Sequence, residues 1–173
     1  TPQLVSRRSR PWLDGAAADG FGGATRRALI RVGTFGLTDH MALRTAAIDR
    51  ALNDALAAGV RQLVVLGAGL DVRAWRLSTL AAATVWEVDH PASQAFKRRR
   101  IADRAPAAAE VHYVAMDFAK DSLSDVLPAA GLDPGLPTFW IWEGVTMYLP
   151  AAACQATLAA VAGLSASGSG LAM

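Results

Sequence analysis

The chain has 173 residues, of which 53% are hydrophobic and 18% charged, a balance that excludes a disordered polymer and suits one α/β domain's worth of packed chain. Lys and Arg (17) barely exceed Asp and Glu (15), so charge alone does not argue for a polyanionic partner such as nucleic acid. The single cysteine, Cys154, cannot form an internal disulfide, no apolar run reaches the roughly 18 residues of a membrane span, and Thr1 to Arg10 is not built like a secretory signal; the expected location is cytoplasmic, with no membrane.

Residues 1–60 are expected to form an N-terminal arm and helices, and residues 61–173 an α/β core. Thr1 to Gly23 reads as a glycine-ended arm and Ala24 to Val32 as a short helix. Thr38 or Asp39 is expected to cap a long helix whose apolar face is Leu43, Ala47, Ile48, Leu52 and Leu56, stopped by Gly59. Short apolar runs then alternate with alanine-rich stretches, the pattern of βαβ units around a parallel sheet. Strands are expected at Gln62–Leu66, Thr84–Val88, Val111–Ala115, Thr138–Trp142 and Gly168–Met173. Helices are expected at Ala74–Ala82, Pro91–Arg104, Ser122–Ala130 and Pro150–Leu164, with both prolines in first turns. The chain ends at the fifth strand, so the sheet reads as truncated there, with an exposed edge through which copies would self-associate.

Four loops follow C-terminal strand ends, the edge where open α/β sheets bind ligands. After the first strand comes Leu66-Gly67-Ala68-Gly69-Leu70-Asp71, in which glycine permits a sharp turn and close ligand approach; a plain strand-to-helix turn is the competing reading. A dinucleotide fingerprint would place a third glycine at position 72, where this chain has Val72, so a pyrophosphate cofactor fits poorly. Glu87-Val88-Asp89 ends the second strand, and Asp89 lies at the separation from Gly69 that suits a ribose acceptor; it could instead cap the next helix. Asp117-Phe118 follows the third strand and could meet an adenine through a carboxylate and a backbone N–H, or be a solvent-exposed turn. Glu143 ends an apolar strand, where a carboxylate needs a partner; the cationic end of a cofactor is one. Tyr148 lies near the same rim as a substrate-binding candidate, with ordinary packing at least as good an account.

Taken together these motifs resemble the leucine carboxyl methyltransferase family, in its bacterial branch of S-adenosylmethionine-dependent O-methyltransferases. The resemblance is carried by Val64 through Leu77, by Glu87-Val88-Asp89-His90-Pro91, by Trp142-Glu143-Gly144 through Tyr148-Leu149-Pro150, and by Arg44-Thr45 and Asp49 upstream. It implies a class I methyltransferase fold, a Rossmann-like parallel sheet flanked by helices, with S-adenosyl-L-methionine across the strand ends. By that resemblance Arg44 would hold the cofactor carboxylate, Gly67, Ala68 and Gly69 its methionine part, Asp89 the ribose, Asp117 and Phe118 the adenine, and Glu143 the amino group. The family commonly has leucine where this chain has Phe118, and continues beyond the fifth strand. The reaction expected is methyl transfer to a carboxylate or hydroxyl of a small molecule; no catalytic base is identified. The competing readings are a nicotinamide oxidoreductase and a non-catalytic cofactor-binding or interaction protein. Lys97-Arg98-Arg99-Arg100 reads as a solvated helix face rather than a nucleic-acid site, Cys154 as core, and the scattered His40, His90 and His112 do not suggest a metal.

Overall fold

The structure, a computed structural model, describes residues 37–173. The arm expected over 1–23 and the helix over 24–32 lie outside the described residues. Residues Leu52–Met173 form a compact unit of their own, and the unit boundary falls after Ala51 inside the first helix.

That helix, α1 (Leu37–Ala57), already includes Thr38 and Asp39, so neither is its cap; Asp39 instead places a carboxylate in the first turn, where it suits the helix dipole. Its end is a Schellman arrangement. Gly59 has a φ of +101°, its N–H donates to the Leu56 carbonyl (3.1 Å), and the Val60 N–H donates to Ala55 (3.1 Å). The apolar face expected from spacing is only partly correct. Ile48, Leu52 and Leu56 are buried, but Leu43 and Ala47 are exposed. At about 100° per residue, Leu43 lies half a turn around the helix from Leu52.

The remaining elements are β1 (Gln62–Leu66), α2 (Arg73–Arg76), β2 (Thr84–Asp89), α3 (Pro91–Ile101), β3 (Glu110–Ala115), α4 (Leu123–Ala129), β4 (Thr138–Ile141), α5 (Ala151–Gly163) and β5 (Gly170–Ala172). Short 3₁₀ turns occupy Ser78–Leu80 and Thr146–Tyr148. The helix expected over 74–82 is therefore two pieces. Leu77 is extended (φ −97°, ψ 102°) and interrupts the helical ladder. Pro91 stands at the start of α3 as expected, whereas Pro150 is the residue before α5, with extended ψ of 148°.

The five strands form one parallel sheet in the order β3-β2-β1-β4-β5. Every residue of β1 and β4 is buried, as the apolar runs Leu63–Leu66 and Phe139–Ile141 suit when helices cover both faces; the polar Gln62 and Thr138 at the strand starts are buried as a hydrogen-bonded pair (3.0 Å). On one face Val64, Leu66, Trp86, Val88 and Trp140 pack with Leu123 and Leu127 of α4 and with Ala160 and Val161 of α5. Leu63, Val65, Val85 and Glu87 point the other way by strand alternation and are buried as well. The chain crosses from β3 back to β4, on the far side of β1, so the order reverses between β1 and β4. In open α/β sheets such a reversal marks, outside the C-terminal strand ends, the edge where ligands bind. Among the described residues no helix is long and apolar enough to cross a membrane.

Candidate cofactor site at the strand switch

The β1 turn is built to bring three loops together. Gly67 and Gly69 both have positive φ (+66° and +46°), which side chains other than glycine rarely adopt. A Cβ at Gly67 would strike the Cγ2 methyl of Val145, so the loop after β4 rests directly on this backbone. The turn is also pinned to β2: the Gly67 and Ala68 N–H groups both donate to the Val88 carbonyl, at 2.8 and 3.1 Å. At Gly69 a Cβ would meet nothing closer than the Gly67 carbonyl at 3.8 Å, leaving a cradle open beside the turn. A cavity of about 360 Å³ lies next to it, lined by Gly69, Leu70, Ala92, Ser93 and Phe96.

Asp89 ends β2 against this cradle. Its Oδ2 accepts from the Gly69 N–H at 2.5 Å and its Oδ1 from the His90 N–H at 2.6 Å. It does not cap α3. His90 does, its Nδ1 accepting from the Ala92 N–H at 3.2 Å. Asp117, after β3, turns its carboxylate onto its own loop: Oδ1 accepts from the Ala119 N–H (3.0 Å) and Oδ2 pairs with Lys120 (2.8 Å). The Lys120 hydrogen bond and then the Ala119 N–H hold the Asp117 carboxyl below the usual carboxylate range. Phe118 is half-buried and packs against the α4–α5 side of the core. Tyr148 is 78% exposed on the rim and takes no part in core packing. Arg44 is half-buried on α1, in the part of the helix that precedes the Leu52–Met173 unit.

Glu143 follows β4, and its partner is a residue to which sequence reasoning gave no role. Arg73, at the start of α2, is only 4% exposed. Its Nη2 donates to Glu143 Oε2 at 3.1 Å, and its Nη1 pairs with Asp71 Oδ2. Asp71 in turn accepts the Arg73 backbone N–H at 2.7 Å. The local signal was the Asp71-Val72-Arg73 spacing, which suits a carboxylate folding back on the N–H two residues on. Nothing local connects Arg73 with Glu143, 70 residues away.

The basic run on α3 is corrected in one position. Arg98, Arg99 and Arg100 are exposed, but Lys97 is 2% exposed. Its Nζ donates to both carboxylate oxygens of Glu87 at 2.6 Å and sits 5.0 Å from the centroid of the Trp75 ring. Burial pushes the Glu87 carboxyl up to about 7, with Lys97 pulling it down and Asp71 and Asp89 adding smaller upward contributions. Cys154 is half-buried at the edge of the core, its Sγ 3.7 Å from the Thr146 carbonyl.

The arrangement suits a cofactor with hydroxyls and a cationic end better than one with a pyrophosphate. An open glycine cradle adjoins the carboxylate of Asp89, and the carboxylate of Glu143 lies across the switch. The helix after the glycine turn is four residues long with Val72 before it and no side-chain cap, which leaves little dipole to hold a pyrophosphate.

Comparison with known proteins agrees with this reading. The leucine carboxyl methyltransferase family profile matches residues 2–162. A protein of Mycolicibacterium smegmatis is 45% identical over 137 residues, 79% of this chain and 44% of its own length. One of Mycobacteroides abscessus is 44% identical over 79% of this chain and 45% of its own length, and one of Rhodococcus jostii 42% identical over 82% and 48%. All three carry the provisional name S-adenosyl-L-methionine-dependent methyltransferase. The chain thus spans about half the length of the curated relatives it matches. With the glycine turn, the strand order 3-2-1-4-5 and the match running through both halves of the sheet, the chain belongs to the leucine carboxyl methyltransferase family.

Proposed function

We propose that the protein is an S-adenosyl-L-methionine-dependent O-methyltransferase that methylates a carboxylate or hydroxyl of a small molecule. The observation that carries the reading is an open glycine cradle after β1 with a carboxylate from the strand on each side of it, Asp89 at the end of β2 and Glu143 after β4. The cofactor supplies an electrophilic methyl on a sulfonium and needs no metal to activate it. The protein's part is to bind and align. Asp89 would take the ribose hydroxyls, exchanging its bond from the Gly69 N–H for theirs. Glu143, fixed by Arg73, would face the ammonium end, where a carboxylate attracts a cation and repels a phosphate. Arg44 would pair with the cofactor carboxylate, the Gly67–Gly69 turn would pass along the methionine part, and Asp117 and Phe118 would flank the adenine. For the Asp117 carboxylate this requires giving up its Lys120 pair; its own N–H is taken by Asp121 Oδ2 at 2.8 Å, so a backbone contact to the base would come from the Phe118 N–H. Tyr148 would contact the acceptor. A carboxylate acceptor is already ionised at neutral pH, so orientation and exclusion of water suffice; a hydroxyl would need a base.

Thermal melting with S-adenosylmethionine, S-adenosylhomocysteine, NAD and NADP tests the reading. The first two at saturation, 100 times the dissociation constant, should add roughly 2.7 kcal/mol of stability and the last two none. A shift with NAD and none with S-adenosylmethionine would overturn it. Transfer of labelled methyl to a panel of carboxylic acids and phenols would then identify the acceptor class.

A further inference from the structure

Arg73 is a buried guanidinium where the two loops flanking the switch meet, and a guanidinium is not taken out of water without strong partners. Its partners form a chain that starts in the glycine turn itself. The Asp71 N–H donates to the Ala68 carbonyl at 2.7 Å, the Asp71 carboxylate takes both the backbone N–H and Nη1 of Arg73, and Nη2 of Arg73 reaches Glu143. A second contact, Val145 on the Gly67 backbone, joins the same two loops through packing. The turn after β1 and the carboxylate after β4 are therefore held at one fixed separation.

Resting on the methyltransferase reading above, we propose that Arg73 is a positioning residue for the cofactor: it fixes the Glu143 carboxylate relative to the Gly67–Gly69 turn, so that the cofactor's ammonium meets an acceptor already in place. The planar fork of arginine can address two carboxylates from two different nitrogens in one geometry. A lysine at this position keeps the charge and loses that geometry. A pre-ordered acceptor spares the ligand the cost of ordering a mobile one, so the effect belongs in affinity. The action of Arg73 on the cofactor passes through Glu143, which gives a signature that a purely structural arginine lacks.

The test is a double-mutant cycle on S-adenosylmethionine and S-adenosylhomocysteine affinity, measured by titration calorimetry on Arg73→Lys, Glu143→Gln and the double variant, with thermal melting of each. Arg73→Lys should weaken binding about tenfold in the parent, a coupling of the size seen within one hydrogen-bonded network, and less than about threefold in the Glu143→Gln background. An equal loss in both backgrounds would show that Arg73 acts through the fold and not through Glu143, and no loss in either would show that it does not act on the site; both overturn the proposal. Failure of the parent protein itself to bind either ligand would instead overturn the methyltransferase reading, and this proposal with it.

Discussion

Lys97→Met would leave Glu87 buried opposite an apolar side chain, and its consequence should depend on pH in a way that can be worked out beforehand. Glu87 is 1% exposed, and both of its carboxylate oxygens receive Lys97 Nζ at 2.6 Å. Burial raises the carboxyl from its ordinary 4.5 to about 7 even with Lys97 present. A folded state that holds this proton more tightly than the unfolded chain is stabilised below pH 4.5, loses that stability as pH rises, and levels off above about 7. The slope in that window is at most about 1.4 kcal/mol per pH unit. Lys97 supplies the two influences that lower the Glu87 value, so removing it drives the folded pKa higher still. The variant should continue to lose stability above pH 7, where the parent has levelled off. Breaking a buried pair by removing one partner costs roughly 3–5 kcal/mol once the remaining group is charged. Urea unfolding at about pH 6 and about pH 8.5 reads the gap between parent and variant directly, since all other groups titrate alike in both proteins. The gap should widen by about 1–2 kcal/mol between the two conditions. The double variant Glu87→Gln/Lys97→Met should lose this part of the pH dependence. An equal gap at both pH values would show that Glu87 is not held neutral by burial and would refute the reasoning.

Two further substitutions probe the turn and the cofactor's far end. Gly67→Ala should destabilise the fold by about 2–4 kcal/mol, because it adds a left-handed φ penalty to a collision with Val145; adding Val145→Ala should recover the collision part alone, and full recovery or none in thermal melts would contradict the assignment. Arg44→Ala should weaken S-adenosylmethionine binding by roughly 2–4 kcal/mol if its ion pair with the cofactor carboxylate is desolvated, and unchanged affinity in a folded variant would remove Arg44 from the site.

The sheet was legible because its cause is local. A strand buried on both faces is mostly apolar, and the runs Leu63–Leu66 and Phe139–Ile141 announce their strands by that alone, while the buried Gln62 and Thr138 at the strand starts hydrogen-bond each other. The glycine turn was legible for a similar reason, since a backbone that needs positive φ twice in three residues selects Gly67 and Gly69. Because every crossover is parallel, Asp89, Asp117 and Glu143 fall on the same edge of the sheet without further information. What a side chain does at that edge is decided by what stands opposite, and sequence spacing is silent on that. Lys97 sits in a run of four basic residues and looks solvated, yet α3 turns it onto Glu87 while its three neighbours remain in water. Asp117 follows its strand where a ligand acceptor would stand, but Lys120 and the Ala119 N–H hold its carboxylate. Leu43 is expected on the apolar face and is exposed, because nine residues at about 100° each set it half a turn from Leu52. Arg73 is the clearest case: its backbone bond to Asp71 is a two-residue event written in the sequence, while its bond to Glu143 exists only because parallel strand order sets β1 beside β4 and brings their loops within reach of one guanidinium.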